Sequence, residues 1–313
     1  MALSRTHRFQ RFLTPALNSA ARRTNTNASQ TSTEGDPEKL NLEEKVAVIT
    51  GGASGIGYAI AKQFLKEGMS ALSIIDINKE KSEEQVKLLT EEFGEDKVLF
   101  SEGDVSDADQ MDAAFRNTAL HYQSIDIIVN NAGILDDTLW EKELNTNLRG
   151  CVIGTLLGMQ YMAKSSSGEG GIIVNIGSIM SVIPSSGFPI YTMTQSGIYG
   201  FTRALGSSSL YSRTGVKMLC YCPSLTDTEL LKDTSDKCIN YNFANEFQEE
   251  IASCTVQKPE NVAKGLVSIL GEAEPGSIWI VENDQDPYEI EFPGIVKKKK
   301  MKADDVTKQE QQM

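Results

Sequence analysis

Between Val46 and Gly57 the chain reads V-A-V-I-T-G-G-A-S-G-I-G, and no other stretch restricts its fold as much. The first five residues are apolar or β-branched without alternation, as in a strand buried on both faces. The glycines that follow give way to a helical pattern from Ile56 to Gly68. A strand turning this tightly into a helix leaves the helix N-terminus open at the strand's carboxyl end. There, free amides and the helix dipole attract an anion. Gly51, Ser54, Gly55, Ile56 and Gly57, in a G-x-x-x-G-x-G spacing, therefore form a candidate cradle for a pyrophosphate; the alternative is a tight structural turn.

The same alternation continues along the chain. Ala71–Asp76, Val98–Glu102, Ile125–Asn130, Ile172–Ile176, Val216–Tyr221 and Ser277–Val281 read as strands. Between them, helical patterns cover Lys79–Phe93, Asp107–Gln123 (with Met111, Ala114, Phe115 and Leu120 on one face), Trp140–Met162, Pro189–Tyr211 and Asn261–Leu270. Strands alternating with helices build right-handed βαβ units. The expected fold is α/β: a single Rossmann-type, doubly wound parallel sheet with helices on both faces, spanning residues 40–285. Asp227–Ser253 is polar and weakly periodic and is expected to form a lid of short helices.

Composition excludes several classes. The formal charge of −13 argues against a nucleic-acid surface. Two histidines and five cysteines with no C-x-x-C pair leave no metal centre and no Ser-His-Asp chemistry to propose. The cysteine pattern fits reduced thiols. The longest apolar run, Cys151–Met162, is too short to span a bilayer, so no transmembrane segment is expected. Residues 1–33 carry Arg5, Arg8, Arg11, Arg22 and Arg23 and no acidic residue. This is the make-up of a mitochondrial transit peptide, which would send the protein to the matrix; a disordered basic tail on a cytoplasmic protein is the alternative. Residues 286–313, with Lys297–Lys300, read as a polar, Lys-rich disordered tail.

Asp76 ends the second strand, where the ribose of an adenosine would lie. A carboxylate there accepts from the ribose hydroxyls and repels a 2′-phosphate, favouring NAD over NADP; a helix N-cap is the alternative. Further on, Ser178 closes a strand and Tyr191 opens a helix, a hydroxyl pair able to take a proton from an alcohol.

Together these motifs resemble the short-chain dehydrogenase/reductases over about Leu42–Val281, and locally the branch of insect alcohol dehydrogenase and 15-hydroxyprostaglandin dehydrogenase. The matches are T-G-G-A-S-G-I-G, Asp76, D-V at Asp104–Val105, N-N-A-G at Asn130–Gly133, N-L-R-G at Asn147–Gly150, and the Ser178/Tyr191 pair. The resemblance implies NAD as cofactor and a small-molecule alcohol or ketone as substrate. Tyr191 would be the acid/base, Ser178 a donor to the substrate oxygen, and Asn147 the anchor of a relay water. Asp104 and Val105 would flank the adenine, and Asn131, Ala132 and Gly133 would support the cofactor. Pro223 and Thr228 would lie on its nicotinamide side. Each also has a structural reading: Asp104 as a turn residue, Asn131 as a staple between strands, Ser178 and Thr228 as caps. Glycine-containing faces (Gly150, Gly154, Gly158, Gly197, Gly200) would build a homodimer or homotetramer.

Two positions depart from the family pattern. Gln195 stands one turn after Tyr191, where the family has a lysine that lowers the tyrosine pKa and holds the nicotinamide ribose. A unit charge at about 4–5 Å is worth roughly 3–4 kcal/mol at an effective dielectric of ~20, or about 2–3 pKa units. Ser224 follows Pro223 where the family has glycine, and a side chain there would crowd the nicotinamide wall or demand another backbone angle. The expectation is a dehydrogenase with an alkaline optimum, or an NAD-binding protein with little turnover that acts as sensor or oligomer partner. Met180, Val182, Ile183, Phe188 and Leu225 beside the site suggest an apolar, lipid-derived substrate, with Met180 and Phe188 as contacts; ordinary core packing is the alternative.

Overall fold

The computed structural model describes residues 40–291. The basic segment 1–33 and the Lys297–Lys300 run lie outside the described residues. Eight strands form one sheet: β1 (Val46–Thr50), β2 (Ala71–Asp76), β3 (Val98–Glu102), β4 (Ile127–Asn130), β5 (Gly171–Ile176), β6 (Val216–Pro223), β7 (Ile278–Val281) and β8 (Tyr288–Glu289). Their order is β3-β2-β1-β4-β5-β6-β7-β8, parallel throughout except for the antiparallel β8. β1 pairs with both β2 and β4, so chain direction across the sheet reverses there. Loops leaving the carboxyl ends of β1 and β4 consequently diverge and open a crevice.

Within each strand, successive side chains enter opposite cores. Ala47, Ile49, Ile127, Val129 and Val174 meet Phe64 and Leu65 of α1 (Gly55–Lys66). From the other face, Val48, Ile128 and Ile173 meet Met111 and Phe115 of α3 (Ala108–Tyr122), the helix after α2 (Lys79–Phe93). This two-sided burial explains the unalternating apolar strands. The doubly wound sheet is thus as expected, with four local differences. Leu120 is 69% exposed and Thr118 takes its place on the buried face. Trp140–Met162 is not one regular helix but α4 (Trp140–Glu143), a π-helical stretch Leu144–Arg149, and α5 (Gly150–Met162). Pro189–Tyr211 divides into α6 (Pro189–Leu205) and α7 (Ser208–Thr214), because Ser207 is extended (φ −61°, ψ 140°). Finally, the fold passes the boundary expected at 285. The exposed Tyr288–Glu289 pairs with β7 without any apolar run to announce it. The polar segment 227–253 does hold short helices, α8 (Thr234–Lys237) and α9 (Tyr241–Ile251), and α10 (Pro259–Ile269) follows. Among the described residues no helix is long and apolar enough to cross a membrane.

A buried polar network ties the sheet to the helices behind the crevice. Asn130 Nδ2 donates to Asn175 Oδ1 (2.8 Å) on β5 and Thr155 Oγ1 (3.1 Å) on α5. Asn175 Nδ2 donates to Thr202 Oγ1 on α6 (2.9 Å). Of the glycines expected on an oligomer face, Gly150, Gly154 and Gly158 are buried, Gly197 is half-buried and Gly200 is exposed. A Cβ at Gly158 would meet Ile128, one at Gly150 would meet Val105 and one at Gly197 would meet Leu148, whereas Gly200 faces open space. At Gly154 a Cβ would sit 2.0 Å from Asn130 Oδ1. Gly154→Ala should therefore displace Asn130 from its partners and cost about 2–4 kcal/mol, read as a lower denaturant midpoint at unchanged slope.

Candidate active site

The crevice is a cleft of about 820 Å³ running from Asp76 past β1 and β4 to the start of α6. Its floor is the β1–α1 turn. Gly51 has φ +64°, and a Cβ on it would lie 2.8 Å from Ala132 Cα, so only glycine lets the two loops touch. Gly51, Ser54, Gly55 and Ile56 line the cleft; Gly57 does not, and packs under Gly51 O and the Asn131 amide. Thr228 closes over the cradle, its Cγ2 at 3.1 Å from where a Gly55 Cβ would be. Its side chain makes no cap; its hydroxyl donates to Thr226 O (3.3 Å).

Asp76 stands at the far end of the cleft. Its carboxylate accepts from Ala53 N and Asn78 N, both at 3.0 Å, and Asn78 rather than Asp76 caps α2. Asp104 and Val105 line the adjoining wall; Asp104 Oδ1 also accepts from Ser106 N (2.8 Å) and Oγ (2.7 Å), so it holds its turn as well. Asn131, Ala132 and Gly133 line the β4 side. Asn131 is also a staple, donating from Nδ2 to Thr50 O (3.0 Å) and Gly51 O (3.1 Å).

Ser178, Tyr191, Gln195 and Asn147 converge on the opposite wall. Ser178 lies past the end of β5, and its Oγ accepts from Met180 N (3.2 Å), capping the short turn Ile179–Ser181. Tyr191, in the first turn of α6, is 8% exposed and lines the cleft beside Ser178. Burial pushes that hydroxyl well above the ordinary tyrosine range. The Glu143 carboxyl and the Cys222 thiol push the same way, and the Ser178 side chain opposes them. No cation figures among the groups that shift it. Lys142 and Lys237 also line the cleft, but the Lys237 ammonium is spent on the carbonyls of Leu230 and Lys232.

Gln195 follows one turn later, 4% exposed. Its Nε2 donates weakly to Thr194 Oγ1 (3.4 Å), and its Oε1 is buried without a partner. The neighbouring Asn147 is braced on all sides. Oδ1 accepts from Ile134 N (2.9 Å), while Nδ2 donates to Ile134 O (2.9 Å) and Thr194 Oγ1 (3.2 Å). Its side chain is thus committed to protein, and a relay water at this residue would fall to its main chain. Thr194 was not legible as a site residue, yet its hydroxyl joins Asn147, Gln195 and the Tyr191 carbonyl.

The apolar contacts need correction. Met180 and Leu225 line the cleft, as do Leu135, Leu139, Leu230 and Leu231. Phe188 does not: it is fully buried, edge-on to the Phe247 ring of α9 at 4.7 Å. Ile183 points to solvent, and Val182 packs in the core beneath β6 and β7. Ser224 and Pro223 do line the cleft, and Ser224 keeps an ordinary negative φ, so serine needs no strained backbone there.

Residues 45–239 match the short chain dehydrogenase family. The chain belongs to that family. It is similar to the 15-hydroxyprostaglandin dehydrogenase (NAD(+)) of Mus musculus, 34% identical over 235 residues, 74% of this chain and 87% of that protein. Alcohol dehydrogenase 1 of Ceratitis cosyra is 32% identical over 241 residues, 77% of this chain and 93% of that one. Among solved structures, levodione reductase superposes with a TM-score of 0.67 at 24% identity, over 77% of this chain and 97% of that one, a likeness of fold. In this short chain dehydrogenase, Asn147→Ala should leave the Ile134 N–H and C=O without partners. A stability loss of about 2–3 kcal/mol is expected in urea unfolding.

Proposed function

We propose that this short chain dehydrogenase uses NAD to interconvert a secondary alcohol and its ketone, on an apolar substrate of lipid-like character. The observation that carries this reading is the convergence of Ser178 and Tyr191 on one wall of a cleft whose other end is the glycine cradle and Asp76. The fit to the cofactor rests on two features of the chain. Gly51 and Gly55, both at positive φ, let the cradle close against Ala132 and Thr228 in a shape that side chains there would force apart. The orphaned Gln195 Oε1, buried at the cleft wall, is an acceptor in want of a hydroxyl such as a ribose supplies. Gly51, Ser54, Gly55 and Ile56 would hold the pyrophosphate, Asp76 the adenosine ribose, Gln195 the nicotinamide ribose, and Thr228 the carboxamide. When bound, NAD supplies the hydride acceptor.

The chain's own part is to orient the alcohol and move one proton. Ser178 donates to the substrate oxygen and fixes it beside Tyr191. Tyr191 takes the hydroxyl proton as the carbon–oxygen bond acquires double-bond character. Because burial holds its hydroxyl up and no cation lowers it, the active tyrosinate forms at alkaline pH. Leu135, Met180, Leu225, Leu230 and Leu231 around that point suit an apolar alcohol. A homodimer or homotetramer forms part of this reading, through the outer face of α6, where Met193 and Gly200 are exposed.

The deciding comparison is wild type against Gln195→Lys on secondary alcohols with NAD across pH. The lysine should move the alkaline rise of kcat/KM towards neutrality by about 2 units. If it gains nothing, the missing charge does not limit turnover. Turnover by neither protein, despite NADH binding, would leave a cofactor-binding protein in place of an enzyme. A second test concerns cofactor choice. Asp76→Asn should improve NADPH binding relative to NADH by about tenfold, some 1.4 kcal/mol, in fluorescence titrations. An unchanged ratio would remove Asp76 from ribose recognition.

A further inference from the structure

Two buried carboxyl groups lie behind the catalytic wall and take no part in the mechanism above. Asp137 is 2% exposed and Glu143 is fully buried. Asp137 opens the short turn Asp137–Leu139, and Glu143 ends α4. Asp137 Oδ2 accepts from Ile190 N (2.9 Å) and Oδ1 from Tyr191 N (3.0 Å), so its carboxylate clasps the first turn of α6 at the tyrosine itself. Its negative charge suits that helix N-terminus. Neither Glu143 oxygen has a well-formed hydrogen bond, the Asp136 main-chain N–H alone drawing its titration down, and two ionised carboxylates would have no hydrogen to share. A proton on Glu143 supplies one, donated to Asp137.

We propose that Asp137 and Glu143 form a single-proton carboxyl pair that positions Tyr191 and keeps the net charge behind it at minus one through neutral pH. This rests on the reading of Tyr191 as the acid/base. The groups facing the pair are Asp136 on the same turn, Tyr191 of α6 and the Cys238 thiol following α8. All are acidic or neutral. Burial and then the Asp137 charge raise the Glu143 carboxyl to about 8, and the Glu143 carboxyl in turn raises Tyr191. Ionising Glu143 therefore opposes forming the tyrosinate, and the two deprotonations exclude one another. Gln195 leaves no cation of its own to mask that repulsion.

The consequence is that the alkaline rise in activity flattens above the Glu143 midpoint instead of continuing to climb with pH. The sign for stability agrees. A carboxyl raised above its unfolded value of 4.5 contributes stability below that pH, and the contribution is lost as pH rises through about 8.

Three measurements on the full chain test the pair. Infrared spectra should show a protonated-carboxyl carbonyl band at pH 7 that titrates away near pH 8 and is missing from Glu143→Gln. The melting temperature of wild type should fall relative to Glu143→Gln from pH 5 to pH 9. On the alkaline limb, kcat of Glu143→Gln should exceed that of wild type, by about tenfold one unit above the Glu143 midpoint. Asp137→Asn should lower kcat at every pH while KM for NAD stays put. Absence of the carboxyl band at pH 7, or parallel melting curves, would overturn the shared proton. Coincident kcat profiles would overturn its coupling to Tyr191. Should wild type turn over no alcohol, the infrared and melting results still decide the shared proton, and the catalytic reading and the coupling that rests on it fail instead.

Discussion

A clamp between the carboxyl ends of β1 and β4 holds the whole cleft in shape. Thr50 Oγ1 accepts from the backbone of both Asn131 (3.0 Å) and Ala132 (3.1 Å), and the Asn131 amide returns bonds to Thr50 O and Gly51 O. These paired strands lie where the strand order of the sheet reverses, at the root of the cleft. The clamp fixes the distance between the phosphate cradle and the loop after β4. That loop, through Ile134, grips Asn147, and Asn147 through Thr194 reaches the helix bearing Tyr191 and Gln195. Cofactor end and proton-transfer end are thus one hydrogen-bonded assembly.

The catalytic wall is poorer in charge than its fold leads one to expect. Gln195 occupies the position of a cation with a neutral amide, and its oxygen stays unpaired in a buried place. An unsatisfied acceptor there costs roughly 1–3 kcal/mol, a debt a bound hydroxyl would cancel. The field around Tyr191 is set instead by burial, by a neighbouring serine and by a carboxyl. Electrostatics that most members of such a fold would take from one side chain are here distributed over several weaker sources.

Much of this was readable from residue order. The strands show themselves because burial on two faces demands unbroken apolar runs, and the cradle because its glycines sit between a strand and a helix. Phe188 misled because an aromatic next to a catalytic helix looks the same in sequence whether it faces ligand or core; Phe247, some sixty residues on, decides it. The break at Ser207 and the edge strand at Tyr288 carry no periodic signal. The Asp137–Glu143 pair was hidden for a different reason. Within L-D-D-T-L-W-E-K-E it reads as an ordinary solvated charge run, and only the placement of α6 over it buries two of its members.

The π-helical stretch at Leu144–Arg149 has a consequence for how this segment tolerates change in length. Such a stretch equals an α-helix holding one surplus residue, about 100° of rotation. α4, with Glu143 on its inner side, and α5, with Thr155 on its own, are therefore out of phase by that angle, and each is in register with a different neighbour. Removing any one residue between them would restore a smooth helix and rotate one set of inward-facing side chains away from its partners. Here the count of residues is as strict a requirement as their identity.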